Sequence, residues 1–108
     1  MSGGMNKILK QAQKVQQQME RVQAELAERE VKTSIGGGVV EVTVTCDNRL
    51  KAIAIKPEAV DPDDVEMLQD LIVAGVNQAL DEARRITATE MAKVTGGIGG
   101  MMGGLPGL

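Results

Sequence analysis

The sequence predicts an α+β fold in which a long helix, a three-stranded antiparallel meander and a second long helix follow one another (α-β-β-β-α). Three observations predict it. Residues 5–31 contain neither Gly nor Pro and carry apolar residues at helical spacing, residues 31–56 alternate as strands do, and residues 61–95 return to helical spacing. The 108 residues allow a single domain (5–95), which we expect between a flexible N-terminus (1–4) and a disordered Gly/Met-rich tail (96–108).

The first helix is predicted from an apolar seam whose spacing alternates between four and three residues: Ile8, Ala12, Val15, Met19, Val22 and Leu26. A helix of roughly 27 residues is about 40 Å long, whereas a compact domain of this size has a radius of gyration of only ~13 Å. We therefore expect the helix to project beyond the core or to pair with a partner. The seam fits pairing with the other long helix of the chain, which we favour, or a coiled coil between subunits.

The strands are predicted at Val31–Ile35, Val39–Cys46 and Leu50–Lys56. Gly36 to Gly38 permit a tight first connection, and Asp47, Asn48 and Arg49 supply the residues of the second turn. The middle strand places four apolar residues on one face: Val40, Val42, Val44 and Cys46. The third strand has Ile53 and Ile55 on one face and Ala52 and Ala54 on the other, which predicts burial on both sides.

The second helix is predicted to begin with Asp61 as N-cap and Pro62 as first helical residue, and to end at Thr95 before Gly96 and Gly97. Acidic residues in its first turn complement the helix dipole. Its inward stripe is predicted to comprise Val65, Leu68, Ile72, Val76, Ala79, Ala83, Ile86 and Val94. A wider apolar arc, adding Met67, Leu71, Val73 and Leu80, predicts that the first half lies on the sheet.

The composition excludes several classes of function. The chain has no His and no aromatic residue, so it offers no imidazole base, no His-ligated metal and no platform on which bases stack. Cys46 continues the valine face and is interpreted as a core thiol, the acids at 61–66 as helix-capping residues, and the glycines as turn and tail. We expect no enzyme, no catalytic residue, no cofactor and no metal site.

The sequence also predicts a location. A single Cys cannot form an intrachain disulfide, which suits a reducing cytoplasm. The first ten residues lack the apolar stretch of a signal peptide, and no run approaches the ~18 apolar residues that span a bilayer. We therefore expect a cytoplasmic protein with no membrane partner.

Basic residues on the two helices are the candidate binding residues. Lys7, Lys10 and Lys14 share one helical face, and Arg21 extends it by one heptad. Residues 7–21 hold four basic residues and one acidic residue, although the whole chain has a net charge of −3. The second helix adds Arg84, Arg85 and Lys93. These positions fit phosphate contact, and an ordinary solvated face is the alternative.

Three segments carry a resemblance to a known family: Asp61-Pro62-Asp63-Asp64-Val65-Glu66-Met67-Leu68, Ala74-Gly75-Val76-Asn77-Gln78-Ala79, and Thr95-Gly96-Gly97. With the Met/Gln/Lys-rich first helix and the glycine-rich close, the chain resembles the YbaB/EbfC family of small bacterial nucleoid-associated proteins over nearly its whole length. The resemblance implies dimers that join through their sheets and project paired helices as arms. It also implies DNA binding, with effects on nucleoid organisation and gene expression. One departure is Asn48, where the family usually has Gly.

The resulting hypothesis is a homodimeric, bacterial, nucleoid-located protein that binds double-stranded DNA mainly through phosphates. The expected DNA-binding residues are Lys7, Lys10, Lys14, Arg21, Arg84, Arg85 and Lys93. Family genes often lie beside those for a recombination mediator and a clamp-loader subunit, so recombination or replication proteins are further candidate partners. The alternative hypothesis is a protein–protein adaptor linked to recombination or repair, which would explain the acidic net charge.

Overall fold

Two long helices and one sheet make up the computed structural model, which describes the backbone of residues 2–101 and the side chains of residues 4–96. The elements are α1 (Ser2–Glu28), β1 (Glu30–Ile35), β2 (Val40–Thr45), β3 (Arg49–Ile55), a short 3-10 turn (Pro57–Ala59) and α2 (Val65–Met101). The predicted α-β-β-β-α order is confirmed.

The sheet is an antiparallel meander in the order β1-β2-β3, so β2 is its central strand. The β1–β2 hairpin turns through Gly36, Gly37 and Gly38, whose φ angles are 65°, 73° and 93°. Residues that carry a side chain rarely adopt such φ angles, which explains the three glycines of this turn. Asn48 has φ 65° in the second hairpin and takes the left-handed conformation that Asn tolerates better than most residues.

The core lies between β2 and α2. Val40, Val42 and Val44 are fully buried, as the alternation of the strand predicted, and they face Ala79 and Ala83 of the helix. Small residues on α2 let the helix approach the sheet closely. The Thr33 hydroxyl donates a hydrogen bond of 3.1 Å to the Gly75 carbonyl oxygen and ties β1 to the helix.

The predicted burial of the third strand on both faces is wrong for the single chain. All seven residues of β3 are exposed, including Leu50, Ile53 and Ile55. The reason is placement, because α2 packs on β1 and β2 and leaves β3 uncovered at the edge of the sheet. On α2 itself, Leu71 and Leu80 of the predicted wide arc are half-buried, whereas Met67 and Val73 of that arc are exposed. Val65, predicted on the inward stripe, is also exposed.

The helix ends also differ from those predicted. α2 begins at Val65, and its cap is Asp64, whose carboxylate accepts a 3.2 Å hydrogen bond from the Met67 amide. Asp61 instead accepts from the Asp63 amide in the preceding turn. α1 already begins at Ser2, and α2 continues past Thr95 to Met101, because glycine weakens a helix without always ending it. The rest of the predicted tail, 102–108, lies outside the described residues.

The two long helices pair within the chain, as favoured from the seam of α1. They run antiparallel: Arg29 forms an ion pair of 3.6 Å with Glu90, and a groove brings Val22 beside Val94. Leu26 and Val94 are buried where the helices meet. The paired helices extend away from the sheet, which gives a longest dimension of 75 Å and a radius of gyration of 20.6 Å.

Candidate nucleic-acid interface

The basic stripe consists of Lys7, Lys10, Lys14 and Arg21, all exposed on α1. At 100° of rotation per residue, these positions fall within about 60° of one another around the helix axis. They span about 21 Å along the axis and lie roughly 130° away from the apolar seam that faces α2. Lys7, Lys10 and Lys14 therefore present a cationic face to solvent, and Arg21 continues it along the helix to the groove between α1 and α2.

The cations of the basic stripe have no ion pair among the side chains that the structure describes. Among the side chains of residues 4–96, no carboxylate lies within ion-pair distance of any of the four. Residues 7–21 hold one acid, Glu20, and Glu25 follows one turn after Arg21 and lines the same groove. An unpaired surface cation keeps its donors and its charge available for an external anion. Within the predicted set, these four are therefore the cations that have no ion-pair partner in the described part of the chain.

The three predicted cations of α2 are placed differently, since each pairs with an acid one turn earlier. Arg84 lies 3.5 Å from Asp81, Lys93 lies 3.1 Å from Glu90, and Arg85 donates two hydrogen bonds to Glu82. The bond to Arg85 lowers the pKa of the Glu82 carboxyl, and the same bond raises the pKa of the Arg85 guanidinium. A phosphate approaching these residues would compete with carboxylates already in place.

The predicted residues thus occupy three separate regions. Lys7, Lys10 and Lys14 lie on the part of α1 beyond its buried contacts with α2. Arg21 and Lys93 come together in the groove between the helices, lined by Gln18, Arg21, Val22, Glu25, Glu90, Lys93 and Val94. Arg84 and Arg85 lie on the part of α2 that packs near the sheet. The structure does not gather all seven into one site.

A further cation accompanies Arg85 that the sequence had not marked. Lys32 of β1 lines a groove beside α2 with Thr33, Ala74, Asn77, Gln78, Asp81, Glu82 and Arg85. Strand alternation predicts that Lys32 is exposed, but only the packing of α2 against β1 reveals its neighbour. Two acids share this groove, so its charge is mixed rather than cationic.

Other kinds of site find little support in the described part of the chain. No three His, Cys, Asp or Glu side chains within it come together to hold a metal ion. Cys46 is buried, and that burial raises the pKa of its thiol. Neither helix, as far as it is described, has a stretch long and apolar enough to cross a membrane.

Known proteins resemble this chain over most of its length. The nucleoid-associated protein of Acetivibrio thermocellus is 56% identical over 101 residues, covering 94% of this chain and 89% of that protein. One from Clostridium novyi is 56% identical over 100 residues, with coverages of 91% and 88%. One from Ruminiclostridium cellulolyticum is 50% identical over 101 residues, with coverages of 94% and 88%.

A solved structure shares the fold. The crystal structure of an uncharacterized protein from Helicobacter pylori superposes with a TM-score of 0.65, covering 72% of this chain and 82% of that one. Its sequence is 14% identical, so the likeness concerns the fold alone. The model of the YbaB/EbfC DNA-binding family matches residues 1–98, and the chain therefore belongs to that family.

Proposed function

We propose that this protein is a nucleoid-associated protein that binds duplex DNA, and that the basic stripe of α1 makes the principal phosphate contacts. The family match and the names of the relatives support DNA as the ligand over a protein–protein adaptor. One observation carries the assignment of the surface. The four cations of the stripe are exposed and have no ion pair within residues 4–96. Arg84, Arg85 and Lys93, by contrast, each form an ion pair with an acid of the same helix.

Charge and shape fit contact with the backbone of DNA rather than with its bases. Duplex DNA presents one negative charge per ~1.7 Å of axis, so a stripe about 21 Å long faces many phosphates. Three of the four cations are lysines, which act as point charges without the fixed fork of arginine. Binding of this kind depends little on sequence, which suits a role in nucleoid organisation and, through it, in gene expression.

We further propose that the working form is a homodimer joined along β3. The exposed side chains of Leu50, Ile53 and Ile55 form an apolar surface that α2 leaves uncovered. A second copy would bury it, and the strand would then be covered as its sequence predicted. Two copies would also present two basic stripes, and two linked contacts bind a polymer more tightly than one.

The experiment compares two variants with the same change in net charge. One replaces Lys7, Lys10 and Lys14 with Gln, and the other replaces Arg84, Arg85 and Lys93 with Gln. Binding of labelled duplex is measured by anisotropy over a series of salt concentrations; the label must be on the DNA because the protein lacks Trp and Tyr.

The first variant should lose most of its affinity, and the slope of log K against log salt should become shallower by about 0.9 for each phosphate contact removed. The second should stay close to the parent protein, because its cations are already paired. Equal losses of affinity would mean that net charge alone governs binding. A larger loss of affinity in the second variant would assign the interface to α2.

A further inference from the structure

The sheet has a second edge strand, β1, which is not part of the dimer proposed along β3. Among the described strands, β1 pairs with β2 alone. The Cys46 amide donates to the Arg29 carbonyl oxygen at 3.0 Å, so these opposed residues form a hydrogen-bonded pair. Because hydrogen-bonded and non-hydrogen-bonded pairs alternate along an antiparallel ladder, the amides and carbonyls of Glu30, Lys32 and Ser34 point away from β2. This edge therefore presents a row of backbone donors and acceptors to a further strand.

A groove runs along this edge, between β1 and α2. Its volume is about 730 Å³, with Lys32 and Thr33 on the strand side and Ala74, Asn77 and Gln78 among the residues on the helix side. Neighbouring strands of a sheet lie about 4.8 Å apart. A strand added to β1 at that spacing would lie in the groove, and every second side chain of it would face α2.

The helix side of the groove suits small and polar side chains. Ala74 is exposed and leaves space above its methyl group. Asn77 and Gln78 are exposed, and neither side chain has a hydrogen bond within the part of the chain that the structure describes. Because an amide group both donates and accepts, this side of the groove would accommodate residues such as Ser, Thr and Asn.

The strand side of the groove carries a cation that has no ion pair among residues 4–96, Lys32. The acids around it already have partners: Glu30 pairs with Lys51, and Asp81 and Glu82 pair with arginines of α2. Residues directly opposite one another on paired strands have their side chains on the same face. An acidic residue opposite Lys32 would therefore be stabilised, and a basic residue there would be repelled.

We propose that the edge of β1 and the groove beside it bind an extended peptide segment of a partner protein, which adds to the sheet as a fourth strand and carries an acidic residue opposite Lys32. The backbone of β1 would supply the hydrogen bonds, and Lys32 would supply the preference for an acidic sequence. Lysine on an edge strand is a feature by which natural sheets avoid pairing with further copies of themselves. It therefore favours a peptide of different sequence over a second copy of this chain.

The proposed peptide site is separate from the basic stripe. Lys14 lies about 21 Å along α1 from Glu28, where that helix ends beside the sheet. The inference does not depend on the ligand of the stripe, and the peptide would be held whether or not DNA is bound.

The test selects from a display library of random peptides of about seven residues, the length of a short strand, on the full-length protein. Selected peptides are then labelled, and their affinity is measured by anisotropy. The main variant is Lys32→Pro, which has no amide hydrogen to donate. Because that amide points away from β2, the variant keeps the ladder of the sheet. Its matched control is Lys32→Thr, which loses the charge and keeps the amide, and circular dichroism would establish that both remain folded.

The proposal expects the selected peptides to share an acidic residue and to bind Lys32→Pro at least about tenfold more weakly than the parent. Lys32→Thr should lose no more than about fivefold, the scale of one cross-strand pair. Lys32→Glu should prefer versions of the peptides in which Lys replaces the acid. No enrichment over the unselected library, or equal affinity for Lys32→Pro and the parent, would overturn the proposal. A lower mass of Lys32→Pro in light scattering would assign the edge to a second copy and would also overturn it.

A variant on the helix side tests the groove without changing β1. Ala74→Leu should weaken binding of the selected peptides by about tenfold, because the larger side chain fills the space that the peptide needs. Ala88→Leu is the matched control, since Ala88 is also exposed on α2 but does not line the groove. Equal losses in the two variants would remove the groove from the proposed site.

Amide hydrogen exchange, resolved by residue, locates the peptide. With a selected peptide at saturation, the amides of Glu30, Lys32 and Ser34 should exchange at least about tenfold more slowly, because they would gain hydrogen-bond partners. The amides of Val31 and Thr33 already take part in the ladder with β2 and should change less. Slow exchange of the three outward amides in the free protein would show that the edge is already paired, and would overturn the proposal.

Discussion

Gly75 lies where α2 passes closest to the sheet. A Cβ atom built there would come within 2.9 Å of Val42 Cγ2 and 3.3 Å of Ile35 Cγ1. Val42 is fully buried on the central strand and has little room to move. Overpacking of this kind costs about 1–3 kcal/mol, whereas Ala in place of Gly favours a helix by only about 1 kcal/mol. Gly75→Ala should therefore lower the free energy of unfolding by about 1 kcal/mol, as measured by urea denaturation.

Gly96 provides the matched control, because it lies on the same helix and no atom of the described residues lies within 4 Å of its Cβ position. Gly96→Ala should leave stability unchanged or raise it by up to about 1 kcal/mol. In a Val42→Ala background, Gly75→Ala should lose most of its penalty, since only the looser contact with Ile35 remains. A penalty that persists there would show that the contact with Val42 is not its cause.

Glu82 is one of two acids, with Glu30, at which a lowered pKa should make stability respond to acid. Its hydrogen bond from Arg85 holds the pKa of the carboxyl below the ordinary 4.5, so the pair stabilises the fold above that pH and is lost as the pH falls through the lowered value. Glu82→Gln should flatten the decline of the urea midpoint below about pH 4.5. Glu66 is an exposed acid near the start of the same helix with no ion pair among residues 4–96, so Glu66→Gln is the control. An equal flattening by Glu66→Gln would contradict the role of the pair.

At the scale of elements, the start of α2 is fixed by Asp64. Its carboxylate satisfies the Met67 amide, and replacing such a cap with Ala typically costs about 1 kcal/mol. Asp64→Ala should show that loss in urea denaturation. Asp63→Ala is the control, since no hydrogen bond involves that side chain in the described structure. If Asp61→Ala proved the more damaging change, the cap assigned from the sequence would be right after all.

The cap illustrates how far the sequence could predict each element. Alternation predicted the face of Val40, Val42 and Val44 because the pleat of a strand admits only two faces. It could not choose among three Asp residues within four positions, since each can cap a helix. Nor could it show that β3 is uncovered, because an apolar strand gives no information on which chain covers it.

The candidate interface was predictable to a similar degree. Helical spacing alone placed Lys7, Lys10 and Lys14 on one face. The same spacing carried a signal that the prediction did not use: acids stand three residues before Arg84, Arg85 and Lys93. Such i,i+3 pairs form within a single helix, so the sequence already distinguished these three cations from Lys7, Lys10 and Lys14, although not from Arg21, which has Glu25 four residues after it. Lys32 and Arg85 come together only through tertiary packing, which no local pattern of the sequence indicates.

At the scale of the molecule, an acidic chain must bind a polyanion through a local surface. The net charge is −3, and residues 61–93 hold eight acids against three basic residues, mostly on α2. The basic stripe lies on the other helix and extends away from the sheet. The longest dimension of the protein is 75 Å, whereas the Debye length at physiological salt is about 8 Å. Acids of α2 that lie further than this from the basic stripe therefore repel DNA only weakly.

Dimerisation should determine how tightly the basic stripe binds DNA. Ile53 is 36% exposed on β3, the edge strand beside the two strands on which α2 packs. Ile53→Asp should convert the proposed dimer to a monomer, as measured by light scattering, because a charge would be placed in an apolar interface. A monomer offers one arm, so its affinity for duplex DNA should fall by about a hundredfold as the second linked contact is lost.

The matched control is Ile8→Asp, which places the same charge on an exposed isoleucine of the arm, 70% exposed and far from β3. It should leave the dimer mass unchanged. Circular dichroism would establish that both variants remain folded. A folded Ile53→Asp monomer that bound DNA as tightly as the parent would show that each arm acts alone, and the pairing of arms across a dimer would then have no part in binding.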